Sequence, residues 1–333
     1  MSYKKRSKNT IKYKNYLFLV LYSLVILFFF TFSIDLFLKK KFGLGNPILY
    51  YFHPNYGYGL RPDQNIVRFG NKIKIDEFGS RSNYDSQKKT KIIFFGDSVV
   101  YGGRLVGNDN LLSELVCNNL KKMKSCLNFG TNAYGLENII RRINHNTYKY
   151  RKDFAIIFFN FNNLKRGVSK ISGQPFFNKP VDGIFKGVNE LLLRYLDIKR
   201  LKYRYTNTNK LEWEKYDKYL YDEDGNMKKE ILSYYQKVVN DLFYLINKEF
   251  DDYLVVINFS EKDRNETNEI KMLKEMLSNY NKNKILYLKE QLKNENVKIS
   301  KLFDDHIHYN EYGHKIVATL ISNYLKKNYE KFN

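Results

Sequence analysis

The sequence predicts a three-layer α/β/α sandwich on a mostly parallel sheet, preceded by one transmembrane helix. Three observations predict it. The runs "KIIFF" (91–95), "DFAIIFFN" (153–160) and "YLVVINF" (253–259) are short and continuously apolar, as strands buried on both faces are. Stretches with helical spacing separate them, and strands that alternate with helices join into a parallel sheet. Near the N-terminus, "NYLFLVLYSLVILFFFTFSI" (Asn15 to Ile34) carries no charge, and about 20 apolar residues cross a bilayer core as a helix.

The flanks of that apolar stretch orient it. "MSYKKRSKNTIKYK" before it is strongly basic, and the cluster Lys39 to Lys41 after it is smaller. The larger positive flank stays in the cytoplasm. Residues 1–14 are therefore expected as a cytoplasmic tail, 15–38 as the membrane helix, and the rest of the chain outside. A cleaved signal peptide is the rival. The apolar core is long for one, and "TFSIDLF" offers no small-x-small cleavage site.

Residues 39–90 form a juxtamembrane and leader segment. "NPILYYFHPNYGYGLRPDQN" has turn and loop chemistry, suited to crossing from the membrane over the domain surface. "NKIKIDEFGSRS" holds an alternating piece that fits a hairpin or edge strand. The first strand follows at 91–95. Then come a helix (109–123), a strand in "SCLNF" (125–129), a helix (136–150) and the strand at 153–160. A long amphipathic helix (227–250) leads to the strand at 253–259. A helix (269–281), a strand in "KILYL" (284–288) and a final helix (310–327) close the chain. An insertion at about 164–226 interrupts the rhythm. It contains the single tryptophan, Trp213, and a helix over 189–205. An insertion beside a sheet end suits a lid or substrate platform, and a surface decoration equally.

The formal net charge of +22 raises nucleic acid as a partner. The basic residues are scattered and no recognised binding motif accompanies them, so none is expected. The two cysteines, Cys117 and Cys126, exclude a disulfide-rich scaffold and a Cys-based zinc site. An oxidising compartment allows them to pair, joining a helix to the strand after it, and two small buried thiols are the equal alternative. No cofactor motif is present, and the oligomeric state is open.

Ser98 in "GDSVVYGG" follows the first buried strand and precedes a helix. Ligands of open parallel sheets bind beyond the carboxyl ends of the strands. A nucleophilic serine needs a base and an orienting acid. Of the five histidines, His53 lies in the leader and His145 on a helix surface. His306, His308 and His314 cluster in "FDDHIHYNEYGHK". Asp305 precedes His308 by three residues, so one turn brings its carboxylate to Nδ1 and leaves Nε2 for the serine proton. A zinc site at His306 and His308 lacks a third ligand at suitable spacing.

"GDSVVYGG", "NFGTNAYG", "FFNFNN" and "DDHIH…GH" resemble, in order, the four blocks of the SGNH (GDSL) hydrolase superfamily, over about residues 55–327. "YGYGLRPDQ…IDEFGSRS" resembles the leader of its membrane-anchored bacterial members. The resemblance implies a flavodoxin-like domain over 91–330, with Ser98 as nucleophile, His308 as base and Asp305 as its partner. It implies an oxyanion hole from the Ser98 N–H, a second-block backbone N–H and the Asn162 side chain. The second-block glycine falls on Ala133, with Gly130 and Gly135 as alternatives. Asn160 and Asn163 depart from the third block's Gly-x-Asn-Asp. The implied activity is ester hydrolysis on an acylated, foremost O-acetylated, extracytoplasmic glycan. An acyltransferase using the same residues is the alternative, and a non-catalytic glycan-binding or assembly factor is a third reading.

Overall fold

A computed structural model of the chain describes residues 3–83, 90–103, 105–120, 124–150, 153–167, 177–207, 220–224, 226–260, 268–295 and 297–332. Trp213 lies outside the described residues. Helix α1 (Tyr3–Phe42) leads the chain. Its stretch Asn15–Phe42 is long and apolar enough to cross a membrane, four residues beyond the expected end.

Two antiparallel pairs follow, β1 (Tyr50–His53) with β2 (Gly57–Leu60) and β3 (Gln64–Arg68) with β4 (Asn71–Ile75). The main sheet comprises β5 (Thr90–Phe95), β6 (Lys124–Asn128), β7 (Phe154–Phe159), β8 (Asp252–Ile257) and β9 (Ile285–Tyr287). Its order is β6-β5-β7-β8-β9 and every pairing in it is parallel. The five expected strands are therefore present in a doubly wound arrangement. In that arrangement the chain reverses direction across the sheet beside β5, which is where such folds open a crevice.

The helices after α1 are α2 (Ser98–Tyr101), α3 (Leu112–Asn119), α4 (Leu136–Tyr150), α5 (Phe161–Lys165) and α6 (Lys186–Asn207). They continue with α7 (Lys229–Glu249), α8 (Asn268–Leu277), α9 (Leu288–Asn294) and α10 (Glu311–Asn328). Successive strand residues divide between two cores. Ile93, Phe95, Ala155 and Ile157 pack with α4, α7 and α8. Ile92, Phe94, Ile156 and Phe158 pack with α3, α9 and α10. Side chains of a strand alternate between faces, so strands covered on both sides read as unbroken apolar runs. A disulfide between Cys117 and Cys126 joins α3 to β6.

The leader was expected across the surface. It is instead built into the first core, where Tyr58, Leu60, Ile73 and Ile75 are almost fully buried. Its tyrosines read as loop residues, yet their rings supply the apolar area that packs. Arg81 extends the leader's grip to the segment that follows Ser98. It is fully buried, and its guanidinium donates to the carbonyls of Tyr101 (2.8 Å), Gly103 and Val106 and to Asn108 Oδ1 (3.3 Å). Burial lowers its pKa, and the nearby phenol groups of Tyr101 and Tyr50 offset part of that.

Replacing Arg81 by Met keeps most of the volume but strands the buried carbonyls of Tyr101 and Val106 and the half-buried one of Gly103. Each buried group left unpaired costs about 1–3 kcal/mol. Arg81→Met should therefore lower unfolding stability by about 3 kcal/mol or more. The midpoint of chemical denaturation measures this, and a shift no larger than that of a surface substitution contradicts the assigned role.

Candidate active site

The turn after β5 presents Ser98 at the carboxyl end of the sheet's central region. Asp97 caps α2, its Oδ1 accepting from the Val99 N–H (3.0 Å). Its other oxygen, Oδ2, accepts from Asn163 Nδ2 (3.0 Å) and Arg166 Nη1 (3.0 Å). The side chain of Asp97 is buried. Charge-assisted hydrogen bonds of this kind are the stronger ones, so they fix the turn firmly. Gly130 lies against the same turn. A Cβ there would stand 2.3 Å from the Tyr101 nitrogen, so only glycine lets the second block approach so closely.

A cavity of about 590 Å³ opens beside this turn. Ser98, Ala133, Asp305 and His308 all line it. Within it, His308 Nδ1 lies 2.8 Å from Asp305 Oδ2. Asp305 Oδ1 accepts from the N–H groups of Ile307 (2.7 Å) and His308 (2.8 Å). Partial burial works against ionisation of Asp305, but the His308 ring and the two backbone donors outweigh it and hold the carboxyl at about 2. The loop is clamped from below. Asp304 N–H donates to the His308 carbonyl (2.9 Å), and Tyr309 donates its hydroxyl to Asn258 Oδ1 (2.5 Å). The Asp-x-x-His turn is thus preset, with the ring oriented through Nδ1 and Nε2 left for another partner.

The three candidate second-block donors differ in what their N–H groups do. Gly130 donates to Asn128 Oδ1 (2.9 Å) and Gly135 to Asn138 Oδ1 (3.0 Å). Among the described residues the Ala133 N–H has no hydrogen-bond acceptor, and Ala133 lines the cavity with φ at 62°. That is the left-handed region, which a side chain makes unfavourable by about 1–2 kcal/mol. The backbone therefore keeps a glycine's conformation with an alanine in place.

The third block behaves differently at each asparagine. Asn162 is exposed in the first turn of α5, outside the lining of this cavity. Asn163 is buried. Its Oδ1 accepts from the Asn160 N–H (2.8 Å), and its Nδ2 bridges Asp97 and the Tyr134 carbonyl (2.9 Å). An aspartate here would accept the first bond but would turn a carboxylate toward Asp97. The departure at 163 is therefore matched to its neighbour.

The remaining histidines stand apart from this chemistry. His314 is fully buried, and its Nδ1 accepts from the Leu112 N–H (3.1 Å). Burial, with Arg81 and His308 nearby, pushes it down to about 3, so it is a neutral core residue. His306 is exposed. His53 and His145 meet each other, ring centroids 4.4 Å apart, and neither lines the cavity. Arg68, Arg166, Arg194 and Tyr50 do line it, and the sequence did not single them out. Only Arg166 carried a signal, standing one turn beyond the third block. The others come from segments remote in the chain.

The family model described as GDSL-like lipase/acylhydrolase matches residues 92–321. Among solved structures, the chain is similar to a lipolytic G-D-S-L family protein from Veillonella parvula DSM 2008. Identity is 13%, covering 73% of this chain and 99% of the other, with a TM-score of 0.42. A lipase/acylhydrolase from Enterococcus faecalis shares 14% identity over 72% of this chain and 96% of its own, with a TM-score of 0.43. An acetylxylan esterase from Geobacillus stearothermophilus shares 13% over 72% and 96%, with a TM-score of 0.43. A search of curated proteins finds no match.

Two outcomes are expected from this geometry. Ala133→Gly relieves the left-handed strain but adds about 0.5–1 kcal/mol of unfolded-chain entropy. It should leave stability within about 1 kcal/mol of wild type or above it, whereas Ala133→Val should be clearly less stable; thermal melts compare them. The Asp305 carboxyl, held at about 2 in the fold, stands below its ordinary 3.8. Its contribution is therefore present above about pH 4 and lost as pH falls toward 2. The stability gap between wild type and Asp305→Asn should narrow over that window, and a gap that widens on acidification reverses the assignment.

Proposed function

We propose that this chain, which belongs to the GDSL-like lipase/acylhydrolase family, is a membrane-anchored serine esterase that removes an O-acyl group, foremost O-acetyl, from an extracytoplasmic glycan. The observation that carries this reading is the single cavity lined by Ser98, Ala133, Asp305 and His308, with the His308 ring held through Nδ1. Ser98 Oγ attacks the acyl carbonyl while His308 Nε2 takes its proton. The oxyanion is held by the N–H groups of Ser98 and Ala133, which line the cavity, whereas Asn162 lies outside its lining. Collapse expels the sugar oxygen, which takes the proton back from His308. Water, activated by the same imidazole, then releases the acid and frees Ser98. Asp305 stays ionised and stabilises the imidazolium.

The membrane and compartment assignments rest on other features. The apolar stretch within α1 and its heavier basic flank support a single span with residues 1–14 in the cytoplasm. The Cys117–Cys126 disulfide fits an oxidising compartment for the domain over 91–330. The glycan is inferred from that location.

Ser98→Ala and His308→Ala should each lower turnover of a simple acetyl ester by at least about 10³-fold, as loss of a triad member does. Wild type, and not Ser98→Ala, should be labelled by a serine-directed phosphonate. A wild type that neither turns over nor labels would leave a binding or assembly factor as the reading. Adding a glycan acceptor to the assay tests acyl transfer, and a product that is always free acid rules transfer out.

A further inference from the structure

Helix α6 meets α1 through a buried carboxylate. Asp35, 1% exposed although it belongs to the apolar N-terminal helix, accepts from the N–H groups of Gly187 (2.7 Å) and Val188 (3.0 Å) at the start of α6. This satisfies donors that a helix N-terminus leaves free. Lys39 neutralises the same carboxylate at 2.6 Å. Just before α6, Phe185 packs on Phe28, ring centroids 5.5 Å apart. At 1.5 Å per residue, Phe28 lies about 10 Å further along α1 than Asp35. The turn before α6 therefore reaches back along the apolar stretch, away from the domain.

The side chains on that turn and on α6 match this location. Ile184, at the turn, is 76% exposed. Leu191, Leu192, Leu193, Tyr195 and Leu196 are between 41 and 52% exposed. The inward face of α6 is polar and buried, with Glu190 bonded to Arg68 (2.7 Å) and Arg194 (2.7 Å). Over residues 186–196 α6 buries Glu190 and turns Leu191, Leu192, Leu193 and Leu196 outward, which is inverted for water. It is suited to a medium that is apolar on the outside.

We propose that the turn at Gly183–Phe185 and the outward face of α6 form a second membrane contact, seated in the lipid leaflet on the domain's side of the span. This rests on the reading of α1 as a membrane span. The occupant follows from position: whatever surrounds Phe28 in the span also surrounds the residues packed on it. Basic side chains stand where headgroups would lie, with Lys39, Lys40 and Lys41 at the end of α1 and Lys186 at the start of α6. Interfacial helices combine such an apolar face with flanking lysines. Arg194 of the same helix lines the cavity that holds Ser98. The membrane contact and a wall of that cavity therefore belong to one helix.

The test uses the full chain in vesicles of phosphatidylethanolamine and phosphatidylglycerol. Single cysteines replace Ile184 or Leu192, with Leu24→Cys as the reference within the span and Phe52→Cys as the aqueous reference. The native cysteines are paired with each other. Each variant carries a small fluorophore, quenched either by spin-labelled lipid or by aqueous iodide. Labels at 184 and 192 should be quenched by the lipid probe several-fold more than the label at 52, and as the label at 24 is. Iodide access at 184 and 192 with lipid access at 24 overturns the second contact and leaves the span intact. Iodide access at all positions, 24 included, overturns both. Shielding of 184 and 192 from both quenchers means that protein, such as a second copy of the chain, covers the face, and this too overturns the proposal.

Discussion

The Asp97 carboxylate is the junction on which the site's geometry depends. One oxygen holds the α2 turn that carries Ser98, and the other collects Asn163 and Arg166 from α5. Asn163 then bonds the carbonyl of Tyr134, one residue after Ala133. Three blocks that are far apart in sequence are thereby bolted to one buried group. A loop held only by apolar contacts slides by fractions of an ångström at little cost. A buried carboxylate with three directed donors does not, because each misplaced donor leaves charge unpaired where water cannot compensate.

The parts of this arrangement legible in the sequence are those with local signatures. Strands covered on both faces leave apolar runs, and helices leave a period, so the sheet and most of its helices are read within a few residues. The Asp305–His308 pair is also local, since a three-residue turn both joins and orients it. The leader's burial was not legible. Tyr50 and Tyr58 carry the composition of a loop, and only tertiary packing decides that their rings enter the core. Arg81 looks like any solvated arginine until the carbonyls of Tyr101, Gly103 and Val106 are seen around it. The role of Asn163 was hidden for another reason. A departure from a pattern reads as damage unless the partner, here Asp97, is known to prefer an amide.

The buried charges at the other end of the molecule were equally invisible. Glu190, fully buried, joins Arg68 of the β3–β4 hairpin to Arg194 of α6 and also accepts from the Gly45 N–H (2.6 Å). A buried ion pair is weak evidence for stability, because desolvation offsets much of the attraction. Its effect here is geometric. It locks the turn after α1, the leader hairpin and α6 into one body, and Asp35 adds α1 itself. A helix joined to the domain by a loose tether would sample many orientations. Two buried carboxylates instead hold α1, α6 and the leader hairpin in one arrangement.

The walls of the cavity come from different parts of the chain. Ser98, Asp305 and His308 lie within the stretch that matches the family, residues 92–321. Ile48, Tyr50 and Arg68, which wall the same cavity, lie before it. An acyl-enzyme has the same bonds whether water or a sugar hydroxyl attacks it next. The choice belongs to whatever shapes and dries the space above Ser98. Part of that space is shaped by the leader, where Arg68 is bonded to the buried Glu190 and Tyr50 is buried. The leader, between the apolar helix and the first strand, thus contributes one wall of the space above Ser98, and residues of the family core such as Arg166, Arg194 and Tyr309 contribute the rest.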